Sequence, residues 1–167
     1  IEKRQIFTGI GAGSFNMIIG RSATAKTTGA IQMAYNIIKP FEQGFVYHAD
    51  IENSTSYNRV RNITGMKTSD MKRRYILNSE MVFIEDLYET IVSIANEKLE
   101  NASEYEYDTG YYDEFGNEII KLVPTVFILD SIPSMAPRAS GEKDEMATES
   151  HGMRTARATA EFYRALT

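Results

Sequence analysis

Four short apolar runs punctuate the chain, spaced widely enough to leave room for helices between them. Asn16-Met17-Ile18-Ile19 ends at Gly20 and predicts a buried strand. Ala30, Met33, Ala34, Ile37 and Ile38 then recur at helical spacing until Pro40 stops the pattern. Phe45-Val46-Tyr47 predicts a second strand, and Ser54 or Thr55 can cap a short helix ending near Gly65. Tyr75-Ile76-Leu77 is a third strand, and Ile84, Leu87, Ile91, Ile94 and Ala95 mark one face of a long helix. Thr125–Leu129 is a fourth strand, closed by Asp130. From about Ala147 to Leu166 the pattern is helical again, with Met153, Ala156, Ala160 and Tyr163 on one face. Strands that are apolar on both faces and alternate with helices predict an α/β fold, a mainly parallel sheet flanked by helices.

Residues 101–123 break this alternation. Asp113-Glu-Phe-Gly-Asn-Glu118 is rich in turn formers and lies between Tyr111-Tyr112 and Ile119-Ile120, which predicts an inserted β-hairpin with Gly116-Asn117 at or near its turn. Charge singles out the same region. The chain carries a net charge of −5, yet residues 99–120 hold seven acids and no Lys or Arg, so the rest of the chain is +2. The acidity is local, and contact with nucleic acid elsewhere is permitted.

Composition narrows the classes further. The 167 residues fit one domain, taken as 1–167 with the 101–123 insertion. With no Cys there is no disulfide scaffold, thiolate zinc site or Cys nucleophile, consistent with a reducing, cytoplasmic setting. No run approaches 18 apolar residues, and nothing apolar follows Ile1-Glu2-Lys3-Arg4, so neither a membrane span nor a signal peptide is expected. The missing initial Met suggests a trimmed chain.

The chemistry concentrates in three places. Gly20-Arg21-Ser22-Ala23-Thr24-Ala25-Lys26-Thr27 fits G-x4-G-K-T with Ala25 in the place of the second glycine, between a predicted strand and a predicted helix. Such a loop wraps β- and γ-phosphates of ATP in backbone N–H groups. Lys26 adds a positive charge, and the Thr27 hydroxyl takes one Mg2+ position. Asp130 ends another apolar strand, where an acid can hold Mg2+ through water, and Ser131 beside it can help position the site. Hydrolysis needs a carboxylate to orient water. The second strand runs into His48-Ala49-Asp50-Ile51-Glu52, and spacing leaves both Asp50 and Glu52 open. His48 is expected to be a hydrogen-bonded or surface histidine without a metal-spaced partner, and His151 is isolated.

Taken together, Gly20–Thr28, His48–Arg59 and Asp130–Arg157 resemble the RecA-type recombinases, with the UvsX-like recombinases of phage nearest. DSIPSMAPRA from Asp130, followed by a charged loop and ESHGMRTAR, is the most specific stretch. The resemblance implies a RecA-like P-loop NTPase core. It further implies an ATP- and Mg2+-dependent protein that forms helical filaments on single-stranded DNA and promotes strand exchange, in a bacterial host if phage-encoded. It places Lys26, Thr27 and Thr28 at the phosphates and Asp130 at the metal. Asp50 falls where the family has its catalytic Glu, a shorter side chain that Glu52 could replace. Tyr57 falls at the adenine, the loop Gly141–Gly152 at the first DNA-binding loop, and Arg157 and Arg164 at backbone-contacting arginines. The family continues past the point matched by Thr167, so a fragment of the ATPase core is expected. Two alternatives keep this fold: a hexameric replicative-helicase motor, and a nucleotide-gated DNA-binding scaffold with little hydrolysis.

Overall fold

A run such as Phe45–Asp50, with Val46 on one side of its pleat and Phe45, Tyr47 and Ala49 on the other, is stable only at the centre of a covered sheet. The computed structural model places it there as β1 (Phe45–Asp50), flanked by β2 (Tyr75–Asn78) and β5 (Thr125–Asp130). The model describes residues 13–80, 83–131, 134, 135, 137 and 151–166. Both pairings are parallel, with Val46 opposite Tyr75 and Asp50 opposite Asp130.

Strand alternation divides β1 between two helical layers. On one face Val46 packs with Tyr75 and Ile128 against Ile31, Ala34 and Ile38 of α1 (Lys26–Ile38), Val60 of α2 (Tyr57–Thr64) and Met71 of α3 (Thr68–Arg74). On the other, Tyr47 and Ala49 meet Ile84 and Leu87 of α4 (Ile84–Glu100) and Phe162 of α6 (His151–Leu166). No helix of the described residues is long and apolar enough to cross a membrane.

The local signals account for most boundaries. α2 starts from Ser56, one residue beyond the expected caps, because its hydroxyl accepts from Arg59 N at 3.3 Å. It ends at Gly65, whose φ of 69° a side chain would resist. α1 ends before Pro40, and its terminus is held by Arg74. The Arg74 guanidinium donates to the carbonyls of Ile38 (2.5 Å), Phe41 (2.7 Å) and Gly44 (3.0 Å). Arg74→Ala is therefore expected to destabilise the fold by about 2 kcal/mol in urea denaturation, the range for hydrogen bonds to a charged group. A loss within experimental error would mean that water replaces the guanidinium.

The inserted hairpin is present. After α5 (Ala102–Tyr105), β3 (Glu106–Tyr112) and β4 (Glu118–Leu122) pair antiparallel. Asp113 builds the turn, accepting from Phe115 N and Asn117 N at 2.8 Å each and from Asn117 Nδ2 at 3.0 Å. The Asn117 bonds, first among these, hold its carboxyl below the usual carboxylate range. The hairpin is not a free excursion at its root. Tyr107 packs on Phe41 with centroids 4.6 Å apart, and the buried Lys98 donates to Val123 O at 2.6 Å beneath the Phe45 and Tyr105 rings.

Three expectations need correction. Asn16–Ile19 is not a strand: among the described residues it joins no sheet, and Met17 and Ile19 are 71% and 85% exposed. An apolar run becomes a strand only where a neighbour offers backbone partners. What holds this segment is Phe15, edge-on against Tyr163 at 5.2 Å. α6 turns a different face inward from the one expected. Ala158, Phe162 and Tyr163 face the core, whereas Met153, Ala156 and Ala160 are exposed, because Phe162 has far more apolar area to bury than the alanines. In α1, likewise, Ile31 takes the buried position and Met33 is exposed.

Candidate functional site

The loop before α1 turns through two left-handed residues. Ala23 and Ala25 both lie at φ 60°, a left-handed conformation that costs an L-residue roughly 1–2 kcal/mol. Gly20 lies close to its own loop: a Cβ there would sit 3.0 Å from Thr24 Oγ1 and 3.5 Å from Lys26 Cδ, so the Thr24 side chain would have to give way. Thr24 closes the turn by donating to Arg21 O at 2.7 Å. Ala25 caps α1 without a side-chain acceptor, and the first helical bond is Gly29 N to Ala25 O at 2.9 Å. The N–H groups at the start of α1 are thus left to an outside acceptor, and the helix dipole favours an anion there. Arg21, Ser22, Ala23 and Thr24 are exposed in the loop, and Lys26, Thr27 and Thr28 are half-buried in the first turn. Lys26 Nζ donates to Arg21 O at 3.0 Å.

The end of β5 meets this turn. The Thr27 hydroxyl donates to Asp130 Oδ2 at 2.5 Å, across 103 residues of sequence. A hydroxyl and a carboxylate in contact at the mouth of an N–H cradle are an oxygen donor pair of the kind Mg2+ takes alongside phosphate.

The two candidate acids part company. Asp50 is fully buried in register with Asp130, and its oxygens are occupied. Oδ1 accepts from Ser54 N (3.1 Å) and Ser54 Oγ (3.3 Å), and Oδ2 from Thr55 N (2.7 Å). Ser54 and Thr55 serve this acid and do not cap α2. Glu52 is exposed and held over the end of β5: Ser131 Oγ donates to its Oε1 at 2.8 Å, and Glu52 N reaches Asp130 O at 3.3 Å. Ser131 also lies 3.2 Å from Ser134 Oγ.

Two residues escaped the sequence argument. Arg59 donates to Ser54 O at 2.9 Å and to Thr28 Oγ1 at 3.3 Å, tying α2 to the first turn of α1. Its only sequence signal is its place in Tyr57-Asn58-Arg59. His48 is hydrogen-bonded as expected, its Nδ1 2.8 Å from the Tyr75 hydroxyl, but it is fully buried, and one of its ring nitrogens lies within 4.8 Å of carboxylate oxygens of Asp50 and Asp130. Burial pushes its imidazole below the usual range, against the pull of Asp50 and Asp130.

The remaining candidates are scattered. Tyr57 opens α2, 47% exposed, with its hydroxyl accepting from Leu77 N at 3.4 Å. Arg157 and Arg164 are both exposed on α6, and Arg157 pairs with Glu161 at 3.0 Å. Gly141 lies outside the described residues, as does most of the loop up to Gly152, a residue placed only as backbone within α6. No family model matches this sequence, and no curated protein matches it.

Proposed function

We propose that this chain is the nucleotide-binding core of a DNA-dependent ATPase of the recombinase kind, acting on single-stranded DNA as a filament. The observation that carries the nucleotide half is the Thr27–Asp130 contact, which joins the two motifs read separately from the sequence. In this account the Gly20–Ala25 loop and the α1 N-terminus receive the β- and γ-phosphates of ATP. Lys26 exchanges its Arg21 carbonyl for phosphate oxygens, and Tyr57 borders the adenine. Thr27 and Asp130 hold Mg2+, which when bound neutralises charge on the phosphate oxygens. Glu52, exposed and steadied by Ser131, orients the attacking water. Asp50, with both oxygens engaged by Ser54 and Thr55, positions the loop that carries Glu52.

The DNA half is supported by the resemblance of Asp130–Arg157 and by the exposure of Arg157 and Arg164. The Glu161 pair is no obstacle, since exposed ion pairs contribute little.

ATP turnover by the protein with and without single-stranded DNA tests the reading. DNA is expected to raise turnover. Changing Arg157 and Arg164 together to Ala should weaken DNA binding for every sequence and reduce the log–log salt slope by roughly 1.4, about 0.7 per phosphate contact. Turnover indifferent to DNA would overturn the recombinase reading. ATP and DNA binding with turnover at background would favour the scaffold, the alternative that the engaged Asp50 carboxylate supports. Closed rings on DNA in electron micrographs, in place of filaments, would favour the helicase motor.

A further inference from the structure

His48 and Asp50 stand on the same face of β1, two residues apart, and Asp130 faces Asp50 across the β1–β5 ladder. One ring nitrogen of His48 and one carboxylate oxygen from each acid lie within 4.8 Å of one another. His48 and Asp50 are fully buried. Nδ1 of His48 is 2.8 Å from the Tyr75 hydroxyl, while Nε2 is buried with no hydrogen-bond partner. A polar atom left unpaired in the interior calls for an explanation. Two carboxylates stand beside it: Asp50 accepts from Ser54 and Thr55 and Asp130 from Thr27, and among the described residues no Lys or Arg forms an ion pair with either. Arg59, the cation that acts on His48, spends its N–H groups on Ser54 and Thr28.

We propose that His48 Nε2 and the carboxylates of Asp50 and Asp130 form a binding site for a divalent transition-metal ion, of which Mn2+ is the convenient probe. With Nδ1–H donating to the Tyr75 oxygen, Nε2 presents its lone pair. Metal-bound histidines are commonly oriented in this way by a partner on the second nitrogen. Around an ion with bonds of about 2.1 Å, neighbouring donors stand about 3.0 Å apart and opposite donors about 4.2 Å, so the three side chains draw together when an ion binds. The imidazole separates this site from one made of oxygens alone: it favours Mn2+, Co2+ and Zn2+ over Mg2+. The site shares Asp130 with the proposed nucleotide–Mg2+ site, but it requires no nucleotide.

The test is an electron paramagnetic resonance titration of Mn2+ into the nucleotide-free protein. One ion is expected to bind at micromolar concentration, to show 14N spin-echo modulation from a bound imidazole, and to be displaced by Zn2+ well before Mg2+. His48→Gln should abolish the nitrogen modulation and weaken Mn2+ at least tenfold. Absence of binding, bound Mn2+ without nitrogen modulation, or unchanged affinity in a folded His48→Gln protein would each overturn the proposal. Should that variant fail to fold, the wild-type echo decides alone. ATP binding is measured on the same preparation without Mn2+. Loss of one result with survival of the other shows which of the two proposals has failed.

Discussion

Asp130→Asn is expected to lower ATP turnover by about a hundredfold or more while ATP still binds. The substitution keeps the shape of the side chain and leaves one oxygen able to accept from Thr27, now 2.5 Å away. What disappears is the negative charge that, in the proposed function, would hold Mg2+, and removing charge stabilisation of a transition state is among the costliest single losses in catalysis. Affinity for the nucleotide should survive, because the N–H groups at the start of α1 and Lys26 are untouched. Steady-state turnover and calorimetric binding on the same protein separate the two effects. Turnover within threefold of the parent would reduce Asp130 to a hydrogen-bond acceptor at the end of β5.

The second large effect separates two acids that the sequence could not. Glu52→Gln should depress turnover by roughly 10²–10⁴, the usual contribution of a general base, without altering thermal stability. Gln still accepts from Ser131, so the loop should remain in place. Asp50→Asn should act differently. Its amide nitrogen would face donors from Ser54 and Thr55 in a fully buried setting, a clash that costs roughly 1–3 kcal/mol in folding free energy. A stable Asp50→Asn protein without turnover, beside an active Glu52→Gln protein, would reverse the assignment and restore the role that the resemblance gives to Asp50.

What the sequence disclosed depended on how local the physics was. β1 and β5 were legible as short continuous apolar runs and α1 by its period of 3.6, each written within a few consecutive residues. The hairpin was legible because Asp113 and Gly116 supply the turn chemistry themselves. α3 was not anticipated: its seven residues bury only Met71 and leave almost no periodic signal. Asn16–Ile19 misled because hydrophobicity announces a wish for burial and says nothing about which strand will pair. The inward face of α6 misled because alanine is nearly neutral between core and solvent, so the choice fell to Phe162.

The candidate site divides in the same way. Gly20, Lys26, Thr27 and Asp130 follow from motif spacing, and the structure brings Thr27 and Asp130 together. Asp50 and Glu52 could not be ranked, since β1 ends between them: the first still points into the sheet and the second has left it. The hydrogen bond expected of His48 is made to Tyr75, but its full burial and its nearness to Asp130, 82 positions away in the chain, exist only after folding.

The central claim is that the Gly20–Thr28 segment binds the phosphates of ATP, and calorimetric titration of ATP–Mg2+ tests it most directly. The parent protein should bind one equivalent saturably. Lys26→Ala should bind at least tenfold more weakly, a loss of about 1.4 kcal/mol, with an unchanged melting temperature because, among the described residues, Lys26 Nζ bonds only the Arg21 carbonyl of its own loop. No binding to the parent, or equal affinity in the two proteins, would contradict the account.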